Sequence, residues 1–106
     1  MKRFTLATLL AGAVMASGTA ASAVDIEYWQ YIYDSRVTAM DQLIVKFEEA
    51  NPDIKVKQVT FPYADYQTRV VAAHMAGNGP DVLQMFYGWT DSFVQGGVLQ
   101  PLPRDI

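Results

Sequence analysis

Apolar and polar residues alternate along two short segments of the chain, which is the pattern of half-buried β-strands. The first segment is 25–30 and the second is 54–61. A third segment, 82–86, is an almost continuous apolar run of the kind that parallel sheets bury. We therefore predict three strands, of which the third ends directly before Tyr87 and Trp89.

Between the strands, apolar side chains recur with the period of an α-helix. The predicted helices span 36–50, 64–76 and 90–95. Asp34 or Ser35 is suited to cap the first helix, and Asn51-Pro52 ends it. Gly77 is suited to end the second helix in a left-handed conformation. Strands and helices thus alternate as βαβαβα, which predicts an α/β fold with a parallel sheet and right-handed crossovers.

The first 23 residues have the three regions of a secretory signal peptide. Lys2 and Arg3 form a basic start, an apolar stretch runs to Ala16, and small residues lead to Ala-Ser-Ala at position 23. An uncleaved membrane anchor is the weaker interpretation, because a spanning helix needs roughly 20 apolar residues. We predict cleavage near Ala23 and export of residues 24–106.

Charge and residue usage narrow the function classes. Without residues 1–23, six of the eight basic residues remain against all eleven acidic ones, so the net charge is −5. This charge disfavours nucleic acids and anionic membranes as partners. The chain has no cysteine and a single histidine, His74, which leaves no Cys–His pair and no quartet of metal ligands. We predict no enzymatic activity, no cofactor and no metal.

Four short motifs together point to a known family. They are Tyr28-Trp29 closing the first strand, Lys-Phe-Glu-Glu-Ala-Asn-Pro at 46–52 followed by Ile-Lys-Val at 54–56, Gly-Pro-Asp-Val at 79–82, and Gly-Val-Leu-Gln-Pro-Leu at 97–102. In this order, behind a signal peptide, they resemble the extracellular solute-binding proteins of ABC importers, in the carbohydrate-binding branch similar to maltose- and glycerol-phosphate-binding proteins. The resemblance covers residues 25–103. It implies a periplasmic-binding-protein-like fold in which residues 24–106 form the N-terminal part of the first of two lobes, with the second lobe absent.

The resemblance also implies a function. Such a protein is the substrate-binding subunit of an ABC transporter: it captures a sugar, a polyol or a related solute in the periplasm and delivers it to the transmembrane permease subunits. The solute is held between two lobes that close about a hinge. The full-length protein is expected to be a monomer. Two alternatives stay open, namely a fragment of a secreted carbohydrate-active enzyme and a non-functional truncated product.

Aromatic and acidic residues are concentrated where the predicted strands end. The carboxyl ends of parallel strands share one edge of the sheet, and ligands of open α/β sheets bind there. Aromatic faces suit the apolar faces of sugar rings, and hydroxyls or carboxylates suit the rim of sugar hydroxyls. The candidates from this placement are Tyr31, Tyr33, Asp34, Tyr63, Tyr87 and Trp89. The resemblance to the maltose-binding proteins implies ligand contacts from Tyr33, Asp34, Tyr87 and Trp89, and adds Asp91 to the candidate ligand-binding residues.

Some of these positions also have a structural interpretation. Asp34 is equally suited to be a helix cap. Trp89 and Phe93 lie four residues apart and are suited to be a packed pair on one helix. Trp29 and Tyr66 fit the apolar pattern of their elements, so we assign both to the core.

Overall fold

The computed structural model describes residues 22–106. In chain order the elements are β1 (Val24–Tyr31), α1 (Asp34–Ala50), β2 (Ile54–Phe61), α2 (Tyr63–Met75), β3 (Val82–Leu83), a 3-10 helix (Tyr87–Trp89) and α3 (Thr90–Gln95). The predicted alternation of strands and helices is confirmed. The predicted signal peptide, residues 1–23, lies outside the described residues apart from its last two positions.

The strands form a parallel sheet in the order β2-β1-β3, as predicted for an α/β fold. β1 is the central strand and pairs with β2 along its whole length, from Val24 opposite Ile54 to Tyr31 opposite Phe61. β1 and β2 therefore end side by side at the carboxyl-terminal edge of the sheet.

The third strand is shorter than the predicted 82–86. β3 pairs with β1 at two positions only, and the last ladder bond is donated by the Gln84 amide to the Trp29 carbonyl, at 2.8 Å. The apolar residues beyond it are used differently, because Met85 packs against the core and Phe86 precedes the 3-10 helix. A short apolar run has the same sequence pattern in a strand and in a packed turn. The pattern therefore predicted a strand that is longer than the observed β3.

The start of α1 corrects a second prediction. Tyr33, rather than Asp34 or Ser35, is the N-cap residue, and no side chain caps the helix. The Tyr33 carbonyl accepts hydrogen bonds from the amides of Arg36 and Val37, at 2.8 and 3.0 Å. Asp34 instead lies in the first turn, where a carboxylate interacts favourably with the positive end of the helix dipole.

The end of α2 follows the prediction. The helix ends at Met75, and Gly77 has a φ angle of +74°, the left-handed conformation that glycine adopts at low cost. The chain then turns to Asp81, whose carboxylate accepts a hydrogen bond from the Glu27 amide at 2.8 Å. This bond fastens the start of β3 to the middle of β1.

The core lies on the face of the sheet that α2 and α3 cover. Its buried members are Trp29, Tyr66, Val70 and Phe93. The ring centroids of Trp29 and Phe61 lie 4.8 Å apart. The assignment of Trp29 and Tyr66 to the core is confirmed.

The opposite face, which carries α1, is more open. α1 has no buried residue, and Leu43 on its apolar stripe is 56% exposed. A groove of about 360 Å³ lies between the helix and the sheet. Its walls are apolar side chains and one tyrosine: Ile26, Tyr28, Met40, Leu43, Ile44, Phe47, Val56 and Val82.

Within residues 22–106, no helix is both long and apolar enough to cross a membrane.

Candidate functional site

Three elements deliver aromatic side chains to the carboxyl-terminal edge of the sheet. Tyr31 is the last residue of β1, Tyr63 is the first residue of α2 directly after β2, and Trp89 ends the 3-10 helix that follows β3. Because the strands are parallel and in register, the three rings meet. We call Tyr31, Tyr63 and Trp89 the aromatic platform.

The rings of the platform pack on one another. Tyr63 and Trp89 are stacked, with centroids 5.5 Å apart and an angle of 30° between their planes. Tyr31 meets Tyr63 edge-to-face at 5.0 Å and Trp89 at 6.1 Å. Offset and edge-to-face geometries are those that aromatic pairs prefer. The platform is therefore a preformed apolar surface whose rings support one another.

The platform rests on the core. Tyr66 lies fully buried under it, stacked 6.1 Å from Trp89, and donates its hydroxyl proton to the Trp29 carbonyl at 2.9 Å. Burial raises the pKa of Tyr66 above the ordinary tyrosine value, so the hydroxyl stays protonated and remains a donor. Phe93 supports Trp89 from α3, at 6.1 Å, as the four-residue spacing indicated.

The outer side of the platform is accessible. Tyr63 is 51% exposed, and Tyr31 and Trp89 are half-buried. Trp89 packs on Phe93 beneath, as its spacing predicted, and part of its surface stays open at the sheet edge. A surface of this kind offers flat apolar area together with hydroxyl and indole groups at its margin.

Tyr33 and Asp34 lie on the same edge but do not pack into the platform. Together with Ile32 and Ser35 they line a shallow recess at the start of α1. Tyr33 is 60% exposed, and the Arg36 guanidinium lies 5.3 Å from the centroid of its ring. This cation–π contact brings a basic group to the recess, and no local sequence pattern predicts it.

Tyr87 and Asp91 lie beside the 3-10 helix. Tyr87 is 82% exposed and packs on Phe86, with centroids 4.5 Å apart. Asp91 is exposed in the first turn of α3. The structure thus brings Tyr31, Tyr63 and Trp89 together and leaves the four other candidates around them.

Two positioning residues escaped the sequence analysis. Phe86 lies 5.8 Å from Trp89, and its ring is pressed against the backbone of Gly88. A Cβ atom on Gly88 would come within 2.4 Å of the Phe86 ring, so only glycine fits here without a shift. The signal in the sequence was a glycine between two aromatic residues, which marks a close approach to the backbone.

A polar network on the α1 side of the sheet was also not predicted from the sequence. The Tyr28 hydroxyl donates to the Gln30 side chain, Gln30 donates to Gln58, and Gln58 donates to Asp41 on α1. Gln30 is 1% exposed, so its amide needs these partners. Burial raises the pKa of Tyr28, an effect that the nearby Arg36 charge opposes. The network ties α1 to the sheet just below the recess at Tyr33.

Within the described range 22–106, no three His, Cys, Asp or Glu side chains are grouped so that they could hold a metal ion. What the edge offers chemically is stacking area with hydrogen-bonding groups around it. An α/β sheet that presents such groups at its carboxyl edge has the design of a small-molecule binding protein.

The family model of the bacterial extracellular solute-binding proteins matches residues 33–105. The chain belongs to this family, which the four sequence motifs had indicated. Its members are binding proteins and extracellular. Among curated proteins, none matches the chain.

Solved structures share the fold. An ABC substrate-binding protein from Listeria monocytogenes in complex with cycloalternan is 32% identical, with a TM-score of 0.53 over 59% of this chain and 16% of that one. A periplasmic solute-binding protein from Pectobacterium atrosepticum is 26% identical, with a TM-score of 0.64 over 68% of this chain and 18% of that one.

A de novo designed cysteine esterase is 21% identical, with a TM-score of 0.63 over 68% of this chain and 18% of that one, and this likeness concerns the fold alone. The chain spans less than a fifth of the length of each of these three structures.

Proposed function

We propose that this chain supplies one wall of the sugar-binding cleft in the substrate-binding subunit of an ABC importer. The observation that carries the proposal is the stacked pair Tyr63–Trp89 with Tyr31 at its edge, partly exposed at the carboxyl ends of the strands. A sugar ring that lies on this surface covers its apolar face, while its hydroxyls remain free for polar partners.

The polar partners in this proposal surround the platform. Tyr33 and Asp34 form the recess after β1, and Tyr87 and Asp91 flank the 3-10 helix. Carboxylates and tyrosine hydroxyls accept and donate hydrogen bonds of the kind that sugar hydroxyls make. Supporting this substrate class, the relative from Listeria monocytogenes is a complex with cycloalternan.

Export and delivery complete the proposal. Residues 1–23 act as a signal peptide cleaved near Ala23, and the mature protein works in the periplasm as a monomer. A second lobe closes over the bound sugar by a hinge motion, and the closed form is recognised by the permease subunits of the importer. The chain itself catalyses no reaction in this scheme.

The substrate class is tested by thermal unfolding of the two-lobed protein whose first lobe contains residues 24–106. Mono- and oligosaccharides, polyols, amino acids and short peptides are added separately. A ligand present at a hundredfold excess over its Kd stabilises the folded state by about 2.7 kcal/mol, which gives a clear rise in Tm.

We expect a rise with at least one saccharide or polyol and none with amino acids or peptides. A rise with amino acids or peptides alone would contradict the proposed class. Consumption of a saccharide during the incubation, detected by chromatography, would instead support the carbohydrate-active enzyme.

A further inference from the structure

The turn between α2 and β3 contains an asparagine followed by glycine, Asn78-Gly79. We propose that Asn78 is a site of spontaneous deamidation in the folded protein. The site precedes the start of β3, whereas the aromatic platform lies at the carboxyl ends of the strands. It is independent of the sugar-binding proposal.

The reaction uses only the chain and water. The Gly79 amide nitrogen loses its proton and attacks the side-chain carbonyl carbon of Asn78, a C–N bond forms, and the side-chain nitrogen leaves as ammonia. The resulting five-membered succinimide is hydrolysed by one water molecule. Opening at one carbonyl gives aspartate, and opening at the other gives isoaspartate, in which the main chain runs through the former side chain. No electrons are transferred.

The geometry leaves the attacking nitrogen free. Among the described residues, the Gly79 amide donates no backbone hydrogen bond, so its deprotonation and rotation break no ladder or helix contact. Asn78 is exposed to water, and only its own main-chain amide is held, by the Ala73 carbonyl at 2.9 Å. Both reacting groups are therefore accessible without unfolding.

The residue after Asn78 decides the rate. Ring closure brings the backbone of residue 79 against the Asn78 side chain, and a side chain at residue 79 would obstruct this approach, which glycine does not. The fold itself does not demand glycine here, since an added Cβ would meet the nearest atom, the Cα of His74, at an ordinary contact distance of 3.5 Å. Gly79→Ala is therefore a variant that slows the reaction without disturbing the turn.

The product changes the turn in two ways. Aspartate at position 78 places a negative charge three residues beyond Met75, near the negative end of the α2 dipole, where a carboxylate is unfavourable. Isoaspartate adds one backbone atom shortly before Asp81, whose carboxylate and amide both bond to Glu27. Either product should loosen the attachment of β3.

The chain provides its own control. Its other asparagine, Asn51, precedes Pro52, which has no N–H to attack with, and the Asn51 side-chain amide donates to the Phe47 carbonyl at 2.9 Å. Trypsin cuts after lysine and arginine, so the two asparagines fall in separate peptides, 47–55 and 70–104.

The experiment incubates the purified full chain at mildly alkaline pH, with samples digested at intervals and the two peptides followed by mass spectrometry. We expect peptide 70–104 to gain the mass of an NH2-to-OH replacement, with aspartate and isoaspartate forms separated by chromatography, while peptide 47–55 stays unchanged. Gly79→Ala should slow the gain at least several-fold, and Asn78→Gln should abolish it over the same period.

Three results would overturn the proposal. They are a gain at Asn78 no faster than at Asn51, a rate unchanged in Gly79→Ala, and a gain that appears only after denaturation in urea. Circular dichroism of each variant, recorded before incubation, shows whether its helices have formed. A variant that lacks them is replaced by Gly79→Ser in the same comparison.

Discussion

The two tryptophans of the chain show how position decides the role of a residue. Trp29 points from the central strand into the core, is 9% exposed and packs on Phe61. Trp89 leaves the sheet at its carboxyl edge and is half-buried, stacked on Tyr63. A fully enclosed ring stabilises the fold, whereas a ring with an open face can also bind a ligand.

A second single residue, Glu48, makes the free energy of unfolding depend on pH. Its carboxylate accepts a hydrogen bond from the Val56 amide at 2.8 Å and lies 3.3 Å from the Lys55 ammonium. The amide first, and the ammonium second, lower the pKa of Glu48. A lowered pKa stabilises the folded state above the ordinary glutamate pKa, and that contribution is lost as the pH falls through the lowered value.

We therefore expect Glu48→Gln to have a flatter dependence of unfolding free energy on pH between neutral and acidic conditions. Urea unfolding of the proposed two-lobed protein at a series of pH values measures this dependence. Glu49→Gln is the matched control, because Glu49 is the neighbouring exposed carboxylate, and this variant should keep the parent profile. Parallel profiles for Glu48→Gln and the parent would show that the Glu48–Val56 bond does not contribute.

At the scale of elements, the 3-10 helix sets the geometry of the platform. Phe86 lies on Gly88, and this contact fixes the turn that carries Trp89 to Tyr63. Gly88→Ala forces the Phe86 ring or the turn to move, because the new Cβ would lie 2.4 Å from that ring.

The expected result is a change in the near-ultraviolet circular dichroism and in the tryptophan fluorescence, with helix content retained. Overpacking of this kind costs about 1–3 kcal/mol of stability. Gly79→Ala is the control, since a Cβ there meets only ordinary contacts, and its aromatic spectra should match those of the parent. Unchanged spectra in Gly88→Ala would mean that Phe86 does not position Trp89.

The elements were largely predictable from sequence, and the reasons are physical. β2 and α3 have the predicted bounds, because each has a clear period and is followed by Pro62 or Gly96. The length of β3 was not predictable, since pairing with β1 rather than composition ends it at Leu83. Register and packing depend on residues distant in sequence, which a local pattern does not contain.

The candidate site was likewise only partly predictable from the sequence. That aromatic residues gather at one edge followed from the parallel sheet, because the candidates lie at or shortly after the carboxyl ends of its strands. That Tyr31, Tyr63 and Trp89 stack while Tyr87 turns outward did not follow, since it depends on how Phe86 folds onto Gly88. The burial of Gln30 was equally hidden, because an alternating strand predicts a polar side chain on the solvent side.

At the scale of the whole molecule, the two faces of the sheet differ. The α2 side has a closed core of four buried apolar residues, while the α1 side leaves a groove of about 360 Å³ with Leu43 and Phe47 56% and 42% exposed. Parallel sheets are stable when both faces are covered. A chain of this size has only a small free energy of unfolding, so an uncovered sheet face removes a large share of it.

We therefore expect residues 24–106 on their own to melt without a sharp cooperative transition and to bind a hydrophobic dye at the α1 groove. Calorimetry and dye fluorescence measure these properties. Leu43→Gln should reduce dye binding, whereas Val45→Gln, an exposed α1 residue outside the groove, should not. A cooperative melt without dye binding would show that this part of the chain is a self-sufficient domain.

The most direct test of the proposed binding surface is calorimetric titration of a saccharide into two variants of the proposed two-lobed protein. Trp89→Ala removes the centre of the platform. Trp29→Phe is the control, because it changes the other tryptophan, which lies in the core. Loss of one stacking contact of about 1 kcal/mol corresponds to roughly fivefold in affinity. We expect at least that weakening for Trp89→Ala and an unchanged affinity, with lower stability, for Trp29→Phe. An unchanged affinity in Trp89→Ala, together with a loss of stability, would make Trp89 a core residue and contradict the proposed sugar-binding platform.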